Sequence, residues 1–78
     1  MSHTPHELHE EFPEHEARIT YLKSTNAHFA RLAEEYHEIN RTVHRAETNV
    51  EPLEPLAEVD LRKKRGALKD EIYRMLSA

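Results

Sequence analysis

Large apolar side chains recur at seven-residue intervals through the middle of the chain. Leu22, Phe29, Tyr36 and Val43 form this repeat. Two turns of an α-helix take about seven residues, so the repeat places these side chains on one helical face. The pattern predicts one long helix over about residues 13–47. Further residues, three positions after members of the repeat, widen the stripe: Thr25, Leu32, Ile39 and Ala46.

The stripe changes flank between Lys23 and Phe29. Upstream of this point, Ile19 lies three positions before Leu22, and Phe12 lies three positions before His15, one repeat further back. The downstream companions follow the repeat instead. A helix that serves one partner along its whole length needs no such change. Asn26 lies in this interval, either as a buried polar residue that fixes the register of an oligomer or as an exposed side chain.

Prolines divide the rest of the chain. Pro13 disfavours helical geometry in Phe12, so a short first helix ends there, and Pro13 itself suits the first turn of the long helix. Two prolines within residues 48–55 predict a connector, because neither can continue a helix. A second helix follows over about residues 56–76. Its apolar seam consists of Leu61, Leu68, Ile72 and Met75.

These elements predict an all-α fold, an antiparallel helical hairpin with unequal arms. At 1.5 Å per residue, the first helix is about 52 Å long and the second about 31 Å. The shorter helix then leaves an apolar overhang, Phe12, Ile19 and Leu22. We expect two hairpins to cover it by associating as a dimeric four-helix bundle. In the alternative, the N-terminal quarter frays and the hairpin stays monomeric. The predicted hairpin core is Phe29, Leu32, Tyr36, Ile39, Val43, Leu61, Leu68, Ile72 and Met75.

Composition excludes several classes of protein. The 78 residues include no cysteine, which excludes a disulfide scaffold and a thiol catalyst. No run approaches the roughly 20 apolar residues of a membrane span, and no signal peptide is apparent, so we expect a cytoplasmic protein. Nucleophile motifs and glycine-rich phosphate loops are also missing, so we expect neither an enzyme nor a cofactor. We divide the chain into a His-rich segment, residues 1–11, and a hairpin domain, residues 12–78.

Several blocks of the sequence form a recognisable set. They are Phe12-Pro13-Glu14, Ile19, Leu22-Lys23, Asn26, Phe29, Leu32, Arg45-Ala46-Glu47, Leu61-Arg62-Lys63-Lys64-Arg65 and Leu68-Lys69-Asp70-Glu71-Ile72. Together they resemble the YdcH-like family of short bacterial proteins, over about residues 12–78. The resemblance implies a small cytoplasmic helical hairpin of uncharacterised function, without catalytic residues. The His-rich residues 1–11 and the prolines of the turn depart from the family pattern.

The second helix carries four consecutive bases, Arg62, Lys63, Lys64 and Arg65. They point all round a helix, so they do not make one flat phosphate-binding face. In an antiparallel hairpin Arg65 lies opposite Glu38, and we predict register-setting ion pairs between two groups: Arg62 and Arg65, and Glu34, Glu35 and Glu38. The alternative is nucleic-acid contact, for which the net charge of −4 is unfavourable. Its candidate residues are Arg62, Lys63, Lys64, Lys69 and Arg74.

His3, His6 and His9 recur every three residues near the N-terminus. On a helix this spacing brings imidazoles close enough to share a zinc or nickel ion. The alternative is a solvated, partly frayed amphipathic start, because no further residues are apparent to orient the ligands.

The sequence favours a non-enzymatic interaction module that self-associates as a homodimer or higher oligomer. The apolar overhang also suits an amphipathic helix of another protein. A weak nucleic-acid-associated protein is the first alternative, and a metal- or pH-responsive element built on the histidines is the second. Neither a membrane nor a cofactor is expected as a partner.

Overall fold

The computed structural model describes residues 5–48 and 54–78. Every regular element in these ranges is helical, so the fold is all-α as predicted. Residues 49–53, in the middle of the predicted connector, lie outside the described residues. The α-helices are α1 (Leu8–Glu11), α2 (Glu16–Thr25), α3 (Ala27–Glu47) and α4 (Pro55–Ser77), and a 3-10 turn, Pro13–His15, separates α1 from α2.

The long helix predicted over residues 13–47 is interrupted at Asn26. This residue has an extended backbone, with φ −131° and ψ 107°, and its side-chain oxygen accepts a hydrogen bond of 3.0 Å from the Phe29 N–H. Asn26 thereby caps α3, because it satisfies an N–H that has no partner within the helix. Just before it, the hydroxyls of Ser24 and Thr25 donate to the carbonyl of Tyr21 at 2.9 and 2.8 Å. The single-helix prediction is therefore wrong, and Asn26 caps the second of the two helices.

The break lets the N-terminal part of the chain fold back onto α3 and α4. Phe12 and Ile19 are 7% and 5% exposed and share one hydrophobic cluster with Phe29 and Ile72, while Leu22 packs against that cluster partly buried. The predicted overhang is therefore wrong, because the chain covers these side chains itself. The longest dimension of the fold is 36 Å, well short of the predicted helix of about 52 Å.

The 3-10 turn makes this return possible. Phe12 ends α1 with φ −130° and ψ 62°, outside the helical region, which agrees with the restriction that Pro13 places on the residue before it. The 3-10 turn then starts at Pro13, and α2 begins only at Glu16. The sequence analysis placed the end of α1 correctly but started the next α-helix three residues too early.

Helices α3 and α4 run in opposite directions. Arg62, in the first half of α4, contacts Glu47 at the end of α3 with 2.9 Å between Nη2 and Oε2. Near the other end, the carboxylate of Glu71 lies 3.5 Å from the imidazole of His28. Pro55 occupies the first turn of α4, where its missing N–H costs no intrahelical hydrogen bond.

The hydrophobic cluster lies where α2, α3 and α4 meet, and Leu8 of α1 joins it. Of the predicted core residues, Phe29, Leu32, Tyr36, Val43, Leu68 and Ile72 are buried, Ile39 and Met75 pack partly buried against the cluster, and Leu61 is half-buried. Burial extends to residues outside the prediction: Leu8, Ala33, Asn40, Ala46 and Leu76. None of the described helices combines the length and the hydropathy needed to cross a lipid bilayer.

Candidate functional site

Residues 5–12, here called the N-terminal clasp, are held against α3 by hydrogen bonds to their own backbone. The hydroxyl of Tyr36 donates to the His6 carbonyl at 2.6 Å, and the amide of Asn40 donates to the Pro5 carbonyl at 2.7 Å. His6 has φ 62°, in the left-handed region that non-glycine residues enter at a cost. This turn presents two consecutive carbonyls to α3.

Asn40 joins the clasp to α4 through its other side-chain atom. Its oxygen accepts a hydrogen bond from Nη1 of Arg65 at 3.0 Å, while its NH₂ group holds Pro5. The residue is completely buried, so its polar atoms depend on these protein partners rather than on water. One asparagine therefore connects the N-terminal clasp, α3 and α4.

Ionisable side chains add a second set of contacts between the clasp and the helices. Nδ1 of His37 lies 2.8 Å from Oε2 of Glu7, and Nζ of Lys69 lies 2.7 Å from Oε1 of Glu11. The hydrogen bond from Lys69 lowers the pKa of Glu11 below its usual 4.5, although partial burial opposes the shift. The Glu11 carboxylate is therefore stabilised in its charged form in the folded chain.

The phenol of Tyr36, which lies beneath the clasp, has a raised pKa. Burial raises the pKa of Tyr36 to about 12, the nearby Glu11 carboxylate adds to the rise, and the positive charge of Arg65 opposes it. Tyr36 is therefore a neutral hydrogen-bond donor to the clasp at physiological pH.

Phe12 closes the clasp against α4. Its ring stacks on that of Tyr73, with 5.6 Å between centroids and 21° between planes, and Nζ of Lys69 lies 5.8 Å from its centroid. Aromatic stacking and cation–π attraction both favour this arrangement. Phe12, predicted as a free interface residue, is a structural anchor.

A groove of about 650 Å³ lies beside the clasp, between α1, α2 and α3. Leu8, Ile19, Ala30 and Ala33 supply its apolar lining. Both acidic and basic side chains line it, and one of them, His37, is paired with Glu7. The charged and polar lining consists of Glu7, His9, Glu16, Thr20, Lys23, Glu34, His37, Glu38 and Arg41.

The long helices α3 and α4 carry the similarity to known proteins. Residues 29–76 match a family described as "Protein of unknown function (DUF465)". The chain belongs to this family. The YdcH-like short bacterial helical proteins are part of it, so the resemblance identified in the sequence is confirmed. Nothing among curated proteins or solved structures matches the chain significantly.

The DUF465 match begins at Phe29 in the first turn of α3 and ends at Leu76 in the last turn of α4. Helices α1 and α2 lie before it, so the resemblance proposed for residues 12–26 lies outside the matched region. The clasp lies outside the matched region and is held by Tyr36, Asn40 and Lys69, which lie within it.

The predicted cross-helix ion pairs form with other partners. Arg62 contacts Glu47 at 2.9 Å and Glu58 of its own helix at 2.7 Å. Arg65 contacts the side-chain oxygen of Asn40 rather than the carboxylate of Glu38. Glu34, Glu35 and Glu38 lie exposed on the surface of α3. An uncharged buried residue occupies the place that the sequence analysis assigned to an acid.

The five bases proposed for nucleic-acid contact divide into two groups. Arg62 and Lys69 are engaged with carboxylates, whereas Lys63, Lys64 and Arg74 are exposed on α4. The bases left exposed for nucleic-acid contact are therefore those of the second group.

The structure describes two of the three histidines proposed as metal ligands, because His3 lies outside the described residues. Nδ1 of His6 lies 3.5 Å from Glu11, and His9 lines the groove. No set of three or more histidine, aspartate or glutamate side chains within residues 5–48 and 54–78 is arranged to hold a metal ion. Residues 5–11 also pack against α3, which differs from the solvated start considered as the alternative.

A further surface, missed by the sequence analysis, is the side of α4 that faces away from α3. Leu56 is 80% exposed, Val59 42% and Tyr73 50%. Gly66 lies between them, and a Cβ atom added there would have nothing within 4 Å. Alternating steps of three and four residues, typical of one helical face, relate its members. We call this surface the outer face of α4: Leu56, Val59, Lys63, Gly66, Asp70 and Tyr73.

Proposed function

We propose that this chain is a non-enzymatic helical interaction module that self-associates through the outer face of α4. The observation that carries the proposal is the exposure of Leu56, Val59 and Tyr73 along one side of that helix. Large apolar side chains that line up on a helical surface favour contact with another protein, because association removes them from water. In any solution of this protein, other copies of the chain are present as such a partner.

The surface proposed here replaces the predicted overhang. Phe12 and Ile19 are buried within the chain, so they offer little area to a partner. In contrast, Val59 and Tyr73 are about half exposed in the folded chain, with the clasp in place. Two α3–α4 pairs joined at the outer faces of α4 form a layer of four helices with the two α4 helices in the middle. The proposal therefore keeps the predicted dimer but replaces the predicted bundle around one shared core.

Sedimentation velocity over a range of protein concentrations tests the proposal. We expect the wild-type sedimentation coefficient to rise with concentration, and Val59→Glu to abolish the rise because it places a charge in the contact. Tyr21→Glu is the matched control, since Tyr21 is 60% exposed but lies on α2. A wild-type protein that stays monomeric at millimolar concentration contradicts the proposal, and so do equal effects of the two variants.

Salt separates this proposal from nucleic-acid binding. Polyanion binding weakens steeply as salt rises, whereas apolar association responds little. The alternative draws on Lys63, Lys64 and Arg74 alone, because Arg62 and Lys69 are paired with carboxylates. Tight binding of duplex DNA or RNA at physiological salt, lost in Lys64→Ala, favours the alternative.

A further inference from the structure

We infer that two copies of α4 pair antiparallel about a twofold axis at Gly66. This inference rests on the proposed function and specifies its geometry. The contact is isologous, so between Val59 and Tyr73 each residue of the stripe on one copy faces a residue toward the opposite end of the stripe on the other.

Gly66 supplies the first argument, because nothing in the described part of its own chain requires a glycine there. It is the one glycine in the sequence and lies in the interior of α4, where glycine is less favourable than alanine. Its φ is not positive, and the space where a Cβ would stand is open. A close approach of a second backbone at this point gives the missing side chain a physical reason.

The apolar residues are symmetric about Gly66. Val59 lies seven positions before it and Tyr73 seven positions after it, and both are exposed. In an antiparallel pair centred on Gly66, Val59 of each copy therefore packs on Tyr73 of the other. One face of the Tyr73 ring already stacks on Phe12, so that ring is held in place and its remaining surface is available to a partner.

The charges select the antiparallel direction. Lys63 lies three positions before Gly66 and Asp70 four positions after it, and both are exposed. Antiparallel pairing brings Lys63 of each copy to Asp70 of the other, which gives two attractive contacts per dimer. Parallel pairing sets Lys63 against Lys63 and Asp70 against Asp70, which is repulsive.

Single cysteines test the direction directly, because the natural sequence has none. Under mild oxidation we expect a mixture of Lys63→Cys and Asp70→Cys chains to cross-link, and each variant alone to cross-link far less. Efficient cross-linking of either variant alone indicates parallel pairing and overturns the inference. Tyr21→Cys chains, whose cysteine lies outside the contact, give the background level of cross-linking.

Charge exchange provides a second readout that does not depend on oxidation. Lys63→Glu and Asp70→Lys should each weaken dimerisation by about tenfold, because like charges replace both ion pairs. Mixing the two variants should restore association as a heterodimer, and the double variant should restore the homodimer. A wild-type chain that never associates refutes the proposed function. If the wild type associates but the charge exchanges leave the dimer affinity unchanged, only the inferred geometry is refuted.

Discussion

Asn40 is the residue on which three parts of the molecule meet. It is fully buried and connects Pro5 of the clasp with Arg65 of α4. Its position was visible in the sequence, four residues after Tyr36 and three before Val43, which places it on the apolar side of α3. A polar residue on such a seam marks a buried hydrogen-bond network, but its partners, a backbone carbonyl and a guanidinium, are not apparent from spacing.

Replacing Asn40 tests this network. Asn40→Ala should lower the free energy of unfolding by about 1–3 kcal/mol, because it leaves the Pro5 carbonyl and Arg65 without their buried partner. Thr42→Ala on the same helix is the control, since its hydroxyl bonds only to the carbonyl of Glu38. Urea unfolding followed by circular dichroism measures both variants, and equal stabilities would contradict the role assigned to Asn40.

Because of the buried phenol of Tyr36, the folded state should lose stability at alkaline pH. The pKa of Tyr36 is raised from the ordinary value of 10.0 to about 12 in the folded chain, chiefly by burial. As pH rises from about 10 to about 12, the unfolded chain therefore loses the phenol proton more readily, and the folded state loses stability. Unfolding measured over this range should show a steeper loss for the wild type than for Tyr36→Phe, which has no phenol to titrate. Parallel curves for the two proteins would show that the phenol is not held in its neutral form.

At the scale of elements, the break at Asn26 decides the fold. The seven-residue repeat correctly predicted helix on both sides of it, because periodicity reports which face is buried. The change of flank between Lys23 and Phe29 was assigned to a change of partner, whereas it marks two separate helices. Ser24, Thr25 and Asn26 are a stronger local signal, since all three side chains compete with helical hydrogen bonds.

The cap at Asn26 distinguishes a broken helix from a continuous one. In the broken helix, Asn26→Ala should cost about 0.5–2 kcal/mol of stability, because the Phe29 N–H loses its acceptor. Asn26→Asp should be nearly neutral, since aspartate also caps. In a continuous helix the order reverses, because alanine is the better helix former. Thermal or urea unfolding of the three proteins therefore distinguishes the broken helix from the continuous one. Only the sign of the stability difference between the alanine and aspartate variants is needed.

The alignment of α3 with α4 illustrates a limit of sequence reasoning. Antiparallel pairing was expected, but the predicted contact of Arg65 with Glu38 is replaced by one with Asn40. A step of two residues turns an α-helix by about 200°, so the buried Asn40 and the exposed Glu38 lie on opposite sides of α3. The charge pattern alone does not predict which side faces α4, because exposed ion pairs are individually weak.

At the scale of the whole molecule, the chain buries its own N-terminal apolar residues. Length arithmetic on unbroken helices suggested that another chain must cover Phe12 and Ile19. The fold-back covers them within the chain, and the surface left for a partner moves to the outer face of α4. The DUF465 match, residues 29–76, contains that face and excludes α1 and α2.

A distance measurement across the groove tests this fold-back most directly. Spin labels at His9 and Arg41, both exposed residues that line the groove, can be placed on single chains diluted with unlabelled protein. Double electron–electron resonance should then give a mean distance below about 25 Å, because the clasp lies against α3. A continuous helix from Pro13 separates Arg41 from the N-terminal segment by about 40 Å at 1.5 Å per residue. A distance in that longer range would contradict the folded-back structure and return Phe12 and Ile19 to the list of surfaces open to a partner.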